Sequence, residues 1–375
     1  MKVSFKERVA SLFNPHSGKN TPRYGFGKIV ADILSGPRYS YSTSTLEELR
    51  LAARQICIKQ PEIVNITGGD GTQSLYLTAL IKEYESKGQP LPKFMVTPGG
   101  TRNVLALNLG ITNMSGWDYV HRIQHKVERG LPLDTVQLNP LKINGSYGFM
   151  YGAGLVAQGV ELYYAGAPYQ CEDAVRDYGF AEALNAEKLP CRFSCRADKA
   201  ERYGGWCPKC GKKLRRRLGD RRALEVAAEV FWDELKSKLL FRKSRELITK
   251  PVYAEISLTG HEEPFAPFLT HTGIFCSTLE YMGRGFRAMP DARKEPNNFM
   301  LRTINLSFWG LARNLPFLWS GLPLPTKQCF DAVVPALTIK YKSPTVRQID
   351  GDLNKDDPSQ VDRLEAGPLL TFVVG

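Results

Sequence analysis

The feature that most constrains the fold is a glycine-rich turn, Gly68-Gly69-Asp70-Gly71-Thr72, which stands between two contrasting segments. Residues 62–67 before it are rich in β-branched side chains, whereas residues 75–84 after it place apolar side chains along a longer, helix-like run. This contrast predicts that the turn joins a β-strand to an α-helix. Such a junction suits an anion such as phosphate, because glycines allow close backbone approach and the first helical turn offers unpaired N–H groups.

Asp70 requires a different explanation, since a carboxylate repels phosphate. An aspartate at this position would instead organise Mg²⁺ or accept a proton from an attacking hydroxyl group. An ordinary Gly-Asp turn explains the motif equally well when the motif is taken alone.

Length and composition indicate a folded protein of two domains. The chain has 375 residues, of which 43% are hydrophobic, and this is enough for a sizeable core. Residues 1–8 lack the apolar run of a signal peptide, and no later segment is long and uncharged enough to predict a membrane-spanning helix. We therefore expect a cytoplasmic protein, and a peripheral position on the inner face of the membrane stays open.

Two further polar turns follow predicted strands. The first follows a strand at residues 8–13, and the second follows a strand at residues 93–97. In the first turn, the candidate ligand-binding residues are Asn14 and Ser17 for a nucleotide and Lys19 for its phosphates, and the second turn is the polar segment at residues 98–103. Parallel strands in alternating β and α order bring such turns to one edge of a sheet. The three turns together therefore favour a nucleotide site, although each one alone is compatible with a plain surface loop.

A helix is predicted between the polar turn at residues 14–19 and the glycine-rich turn at residues 68–72. Thr45 and Glu48 have the spacing of a capping box, in which each residue satisfies a backbone N–H group of the other. Leu49, Ala53 and Ile56 then give the helix an apolar stripe. We expect this stripe to pack into the core.

Six motifs in this order resemble the diacylglycerol kinase catalytic-domain family, which includes bacterial lipid kinases and the sphingosine and ceramide kinases. The first three are Asn-Pro-x-Ser-Gly, Gly-Gly-Asp-Gly-Thr and Pro-x-Gly-Thr-x-Asn, and the later three occupy residues 148–154, 283–290 and 348–352. Each motif is weak alone, but six in family order from residue 14 to residue 352 are specific together.

The resemblance implies an α/β ATP-binding domain at residues 1–133 and an all-β sandwich domain for a lipid substrate at residues 134–375, with a C-terminal tail that can return to the first domain. It also implies ATP and Mg²⁺, with Asp70 activating the acceptor hydroxyl. By analogy, the residues that surround the nucleotide or close its site are Asn14, Ser17, Gly18, Gly68, Gly69, Gly71, Thr72, Gly100, Thr101, Asn103, Asp350, Gly351 and Asp352.

The chain also departs from the family pattern. Ser74 and Leu75 stand where the family usually has Asn and Glu, and Val104 stands where it usually has Asp. The acidic Asp-Asp-Gly expected after the fifth motif is not evident in residues 291–298. These departures predict that some polar contacts supporting the site and its metal are missing.

An insert at about residues 170–245 carries a zinc-knuckle-like motif. Its four cysteines form two closely spaced pairs, which suits tetrahedral Zn²⁺ better than disulfides in a reducing compartment; they are Cys191, Cys195, Cys207 and Cys210. With no open ligand position, the metal would fold the insert and take no part in chemistry. Four unligated thiols in a loop are the alternative.

The same segment is strongly basic. Residues 191–222 contain twelve Lys or Arg and three Asp or Glu, an excess of nine within a net charge of +12 for the whole chain. Anionic lipid headgroups would attract such a segment, and a solvated basic face explains it equally well. Nucleic acid is the partner that we favour least.

We therefore expect ATP-dependent phosphorylation of a lipid hydroxyl, with the lipid substrate at a membrane surface. The alternatives are a catalytically degenerate kinase fold that binds nucleotide or lipid as a regulator, and an NAD-kinase-like enzyme. Residues 301–322 are rich in large apolar groups, and we interpret them first as a packed helix and loop and second as a membrane-touching surface. The sequence leaves open whether the chain forms a homodimer.

Overall fold

Six strands form the first sheet, and three of them end at the turns predicted from the sequence. Across the sheet, the strands are β2 (Ser40–Ser42), β1 (Val9–Phe13), β3 (Ile63–Gly68), β4 (Lys93–Pro98), β18 (Leu370–Val373) and β5 (Thr135–Leu138). All neighbours are parallel except β18 and β5. The register pairs Phe13 with Thr67 and Thr67 with Thr97, so the carboxyl ends of β1, β3 and β4 lie side by side.

The computed structural model describes residues 5–15, 25–99, 103–111, 116–158, 160, 250–261, 263–283, 285–354 and 360–375. Apart from 155–158, 160 and 250, these residues belong to one compact unit formed by Met1–Gly154 and Pro251–Gly375. The four cysteines of the predicted zinc motif lie outside the described residues.

Helices pack against the first sheet and bury their apolar stripes in one core. They are α2 (Phe26–Leu34), α3 (Leu46–Lys59), α4 (Asp70–Ser86), α5 (Val104–Asn108) and α6 (Gly116–Glu128). A short helix, α1 (Phe5–Arg8), precedes β1. The capping box predicted for α3 is confirmed: Thr45 Oγ1 accepts from the N–H of Glu48 at 3.1 Å, and Glu48 Oε2 accepts from the N–H of Thr45 at 3.3 Å. Leu49, Ala53 and Ile56 are buried, as their spacing predicts.

Two antiparallel sheets form the β-rich region. In order, one contains β10 (Thr270–His271), β9 (Val252–Leu258), β14 (Ala336–Tyr341), β17 (Val361–Ala366), β6 (Leu141–Ile143) and β7 (Ser146–Gly148). The other contains β13 (Cys329–Val334), β12 (Phe299–Ile304), β11 (Gly273–Ser277), β8 (Met150–Gly154), β15 (Arg347–Ile349) and β16 (Asp352–Asn354). Side chains from both sheets share one hydrophobic cluster, so the two sheets form one core. The predicted order of an α/β region followed by a β-rich region is confirmed.

The connection between β12 and β13 contains a further helix, α7 (Phe308–Ser320). Residues 301–322 were expected to be a helix and loop, but the structure assigns Leu301 to β12 and leaves Trp309 largely exposed on α7. In the part of the chain that the structure describes, no helix is both long and apolar enough to cross a membrane.

Helix α4 links the first sheet to the β-rich region along one of its faces. Thr78 Oγ1 donates to the carbonyl of Tyr147 at 3.0 Å and accepts from the N–H of the same residue at 2.8 Å. Two turns later on the same side of α4, Glu85 Oε1 accepts from Tyr147 Oη at 3.0 Å. These bonds fix β7 against α4 near its middle and its C-terminal end.

A buried polar network holds β15 inside the β-rich core. Arg347 Nη1 donates to Asp362 Oδ1 at 2.8 Å, and both side chains are almost fully buried. Asn144 Nδ2 donates to the same oxygen at 2.7 Å, and Tyr151 Oη donates to Asp362 Oδ2 at 2.5 Å. Breaking such a buried pair leaves an uncompensated charge, so the network strongly restrains the position of β15.

Replacing Thr78 with Val tests the α4–β7 contact. The valine keeps the shape of the side chain but leaves the N–H of Tyr147 without its acceptor, so we expect the free energy of unfolding to fall by about 1–2 kcal/mol. Urea denaturation followed by circular dichroism measures the change. Thr78→Ser retains the hydroxyl group and should stay closer to wild type; a Thr78→Val variant as stable as wild type would contradict this role.

Candidate active site

The glycine turn forms the start of α4, at the carboxyl end of β3. The carbonyl oxygen of Gly68 accepts from the N–H of Gly99 at 3.0 Å and from Gln73 Nε2 at 3.0 Å, which fixes the turn against the end of β4 and the first helical turn. Gly69 is the N-cap and supplies no side-chain hydrogen bond to the helix. The first-turn N–H groups of α4 therefore lack a side-chain cap, and the positive end of the helix dipole suits an anion.

Two glycines of the turn have no room for a side chain. A Cβ at Gly68 would lie 2.7 Å from Thr72 Cγ2, and a Cβ at Gly71 would lie 2.9 Å from Asp352 Cγ. Both separations are far below van der Waals contact. Gly71 therefore allows the carboxyl group of Asp352 to pack directly against the first turn of α4.

Asp70 is the first residue of α4 and is held by the next helix along the chain. Its Oδ1 accepts from the N–H of Leu105 at 3.1 Å, near the start of α5. Asn103, at the N-cap of α5, has a left-handed backbone with φ of 50°. The start of α5 is thereby placed beside Asp70, and the backbone bond orients the Asp70 carboxylate.

Asp350 is buried, and its carboxylate is bonded to two other segments of the chain. Its carboxylate accepts from the N–H of Phe149 at 2.9 Å, from the N–H of Met150 at 2.8 Å and from the hydroxyl of Ser74. Gly148 permits this approach, because a Cβ there would lie 2.7 Å from Asp350 Oδ2. The carboxylate thus ties α4 to the start of β8.

Burial raises the pKa of Asp350 to about 7 and outweighs the hydrogen bonds from Ser74 and Phe149, which lower it; the negative charge of Asp70 adds to the rise. Desolvation by the surrounding protein is also the main cause that raises the pKa of Asp352 to about 6, although this residue is exposed to solvent. The second cause is again the charge of Asp70. The negative charge of Asp70 therefore disfavours ionisation of both Asp350 and Asp352 beside the first two turns of α4.

This donor set fits Mg²⁺ only together with a phosphate ligand. Among the residues that the structure describes, no group of three or more His, Cys, Asp or Glu side chains could hold a metal ion by itself. Asp70 and Asp352 nevertheless place two carboxylates at an uncapped helix start. Mg²⁺ is commonly held by one or two carboxylates, substrate phosphates and water, so a cation here would reduce the repulsion and complete its coordination with phosphate oxygens.

The structure brings most of the described candidate residues to one sheet edge. Asn14 follows β1, Gly68 to Thr72 follow β3, and Asn103 precedes α5. Asp350, Gly351 and Asp352 form the turn between β15 and β16, which reaches α4 through Ser74 and Gly71. Ser17, Gly18, Gly100 and Thr101 lie outside the described residues, as do Cys191, Cys195, Cys207 and Cys210.

Several supporting groups are not evident from the sequence. Ser74, interpreted as the loss of a polar contact, donates to Asp350, whereas Leu75 is exposed and Val104 is buried. The available signal was helical spacing, because Asp70, Ser74 and Thr78 follow one another at intervals of four on one face of α4. The backbone N–H groups of Leu105, Phe149 and Met150 bind the carboxylates of the candidate site, and no sequence pattern predicts these bonds.

Comparisons with known proteins agree with this architecture. Residues 8–135 match the family model of the diacylglycerol kinase catalytic domain, which confirms the resemblance over these residues. Two solved structures from Bacillus anthracis str. Sterne, each described as a candidate diacylglycerol kinase, match 100% of this chain and 97% and 99% of their own chains, at 13% identity and TM-scores of 0.56 and 0.57. A third, described as a diacylglycerol kinase, has 11% identity, a TM-score of 0.55 and coverages of 100% and 98%. At this identity the likeness shows the fold, and no curated protein matches the chain.

The raised pKa of Asp350 predicts that the fold loses stability with increasing pH. The ordinary pKa of an aspartate is 3.8. At pH values between 3.8 and about 7, Asp350 in the folded state holds a proton that it has released in the unfolded state. The stabilisation from this proton is fully present below the unfolded-state pKa of 3.8 and is lost as the pH rises through the folded-state pKa of about 7. Over this range, the free energy of unfolding should fall more steeply for wild type than for Asp350→Asn.

The asparagine suits this comparison because it does not titrate, while its side-chain oxygen can accept from the same backbone N–H groups. Asp32→Asn, an exposed aspartate on α2, is the matched control and should keep the wild-type slope. Equal slopes for wild type and Asp350→Asn in urea titrations would show that Asp350 does not bind the proton.

Proposed function

We propose that the chain is an ATP-dependent kinase that transfers the terminal phosphoryl group to a hydroxyl of a lipid, with a β-sandwich domain as the lipid-binding part. The observation that carries the proposal is the pair of carboxylates, Asp70 and Asp352, at the uncapped N-terminus of α4. Supporting it are the catalytic-domain match over residues 8–135 and the names of the structurally similar proteins. The bound Mg²⁺ would neutralise phosphate charge during the transfer.

Each group at the start of α4 has a defined task in this proposal. The glycine turn and the first-turn N–H groups bind phosphate oxygens, and the absence of side chains at Gly68 and Gly71 lets the backbone and Asp352 approach closely. Asp352 faces the cation. Asp70, oriented by the N–H of Leu105, positions the acceptor hydroxyl and takes its proton.

The polar contacts around Asp350 argue for an intact site over a degenerate one. Ser74 differs from the family pattern, but its hydroxyl donates a hydrogen bond to the Asp350 carboxylate. This bond fixes the segment that bears Asp352 relative to α4. A site whose carboxylates are held by specific backbone donors is pre-organised for catalysis. We therefore favour the enzyme over the nucleotide-binding regulator and the NAD-kinase-like enzyme.

Asp70→Asn tests the role of Asp70 directly. The amide retains the size of the side chain and an acceptor for the N–H of Leu105, but it cannot take a proton, so the rate of lipid phosphorylation should fall by about 10²–10⁴-fold. The measurement is phosphoryl transfer from labelled ATP to a lipid extract dispersed in detergent. Calorimetry should show that ATP binding remains.

Asp32→Asn, which changes an exposed aspartate outside the site, is the matched control and should keep full activity. Undiminished activity of the Asp70 variant would refute its assignment. ATP binding by wild type without turnover on any lipid would instead support the regulator, and phosphorylation of NAD would support the NAD-kinase-like enzyme.

We also propose that Cys191, Cys195, Cys207 and Cys210 bind one structural Zn²⁺. The support is the spacing of the cysteines in the sequence, which suits tetrahedral thiolate coordination. Metal analysis of the purified chain should find zinc in equal amount to protein, and Cys207→Ser should lose it while keeping ATP binding, since these cysteines lie between the kinase motifs. Protein that contains no zinc when purified without chelators would refute the site.

A further inference from the structure

Helix α7 is well defined at both ends and is attached to the β-rich region by few buried residues. Ser307 Oγ accepts from the N–H of Gly310 at 3.2 Å at its start, and Gly321 ends it with φ of 72°. Asn314 and Leu318 are its buried residues, and Asn314 Nδ2 donates back to the carbonyl of Gly310 at 2.8 Å. One narrow side of the helix is therefore packed, and the opposite side faces solvent.

The solvent-facing side of α7 is apolar, which is unusual for a helix at a protein surface. Trp309 is 69% exposed, Leu315 51% and Trp319 49%, and Leu322 just beyond the helix is 51% exposed. At a helical period, the three helix residues fall within one broad stripe that also includes Pro316. We call this stripe, with Leu322, the α7 apolar face. Contiguous exposed apolar surface of this kind marks an interaction site.

The stretch of chain that contains α7 carries charges of one sign. From residue 296 to residue 330 the chain has no Asp or Glu, and its basic residues are Arg302, Arg313 and Lys327. Arg302 is buried and paired with Asp331, which leaves Arg313 on α7 and Lys327 five residues after Leu322 as the exposed basic residues of this stretch. Tryptophan, leucine and basic side chains on a helix too short to span are the features of an element that lies in a membrane interface.

Contacts also connect this face to the candidate active site. Trp319 stacks on Phe286 with ring centroids 5.3 Å apart, and its carbonyl accepts from the N–H of Arg287 at 3.0 Å. The segment that leads to these residues is bonded to α5, where Asn108 Nδ2 donates to the carbonyl of Tyr281 at 2.8 Å and Asn108 Oδ1 accepts from its N–H at 3.0 Å. Helix α5 in turn orients Asp70 through the N–H of Leu105.

We propose that the α7 apolar face docks the protein on an anionic lipid bilayer. The tryptophans and leucines enter the headgroup and upper acyl region, and Arg313 and Lys327 face the lipid phosphates. This inference rests on the proposed function for its purpose: docking brings the site around Asp70 to a lipid hydroxyl that stays in the bilayer. The binding itself depends only on α7.

The test compares vesicle binding of two equally disruptive double variants. Trp309→Ser with Leu315→Ser alters the α7 apolar face and spares the Trp319–Phe286 stack, while Leu51→Ser with Ile58→Ser removes apolar groups that are 51% and 71% exposed on α3. Sedimentation with vesicles of phosphatidylcholine and phosphatidylglycerol measures binding, and circular dichroism checks folding. The α7 variant should bind about tenfold or more weakly, and the α3 variant should bind as wild type does.

Two further measurements add independent evidence. Vesicles containing brominated lipid should quench wild-type tryptophan fluorescence, and quenching should drop in the α7 variant. Added salt and vesicles of phosphatidylcholine alone should weaken wild-type binding, because charge attraction contributes. Activity on a short-chain lipid dispersed below its micelle concentration should be equal in wild type and the α7 variant, since that substrate needs no docking.

Other outcomes contradict either the docking proposal or the kinase proposal. Unchanged vesicle binding of the α7 variant, or an equal loss in the α3 variant, overturns the docking proposal. Self-association that is lost in the α7 variant, together with no vesicle binding by wild type, assigns the face to a second copy of the chain. If vesicle binding depends on α7 but no lipid is phosphorylated, docking stands and the kinase proposal falls.

Discussion

The buried carboxylate of Asp350 is the interaction on which the relation between the first sheet and the β-rich region depends. It accepts from the backbone at Phe149 and Met150 and from Ser74 on α4, and it lies where a side chain at position 148 would clash with it. A buried carboxyl group is costly unless its hydrogen bonds are made, so displacement of any partner is penalised. The start of α4, with its glycine turn, is thereby held against the turn that bears Asp352.

Further layers of contact make this arrangement rigid. Arg347 lies just before Asp350 in the chain, and its buried pairing with Asp362 fixes β15 from the interior of the β-rich core. On the other side, Thr78 fixes α4 to β7. Asp70 and Asp352 are therefore supported from both regions, which is the condition for two like charges to stay close together.

Sequence patterns predicted the parts of the structure that depend on residues close together in the chain. The strand–turn–helix unit around Asp70 and the Thr45–Glu48 capping box are each written within a few positions, and both are found in the structure. The bond from Ser74 to Asp350 joins residues 276 positions apart, so no local pattern contains it. An exposed surface was only the second interpretation of residues 301–322, since apolar composition by itself favours burial and only the tertiary structure shows which side of a helix is covered.

Strand β18 has a consequence for how the chain folds during synthesis. It lies in the middle of the first sheet, between β4 and β5, and Tyr119 of α6 donates to the carbonyl of Val373 at 2.6 Å across 254 positions of sequence. When a ribosome has delivered only β1 to β5, the sheet has a gap with unpaired backbone groups and an uncovered core. The first sheet can be completed only after the β-rich region has been made, so an early-emerging segment needs protection from aggregation until then.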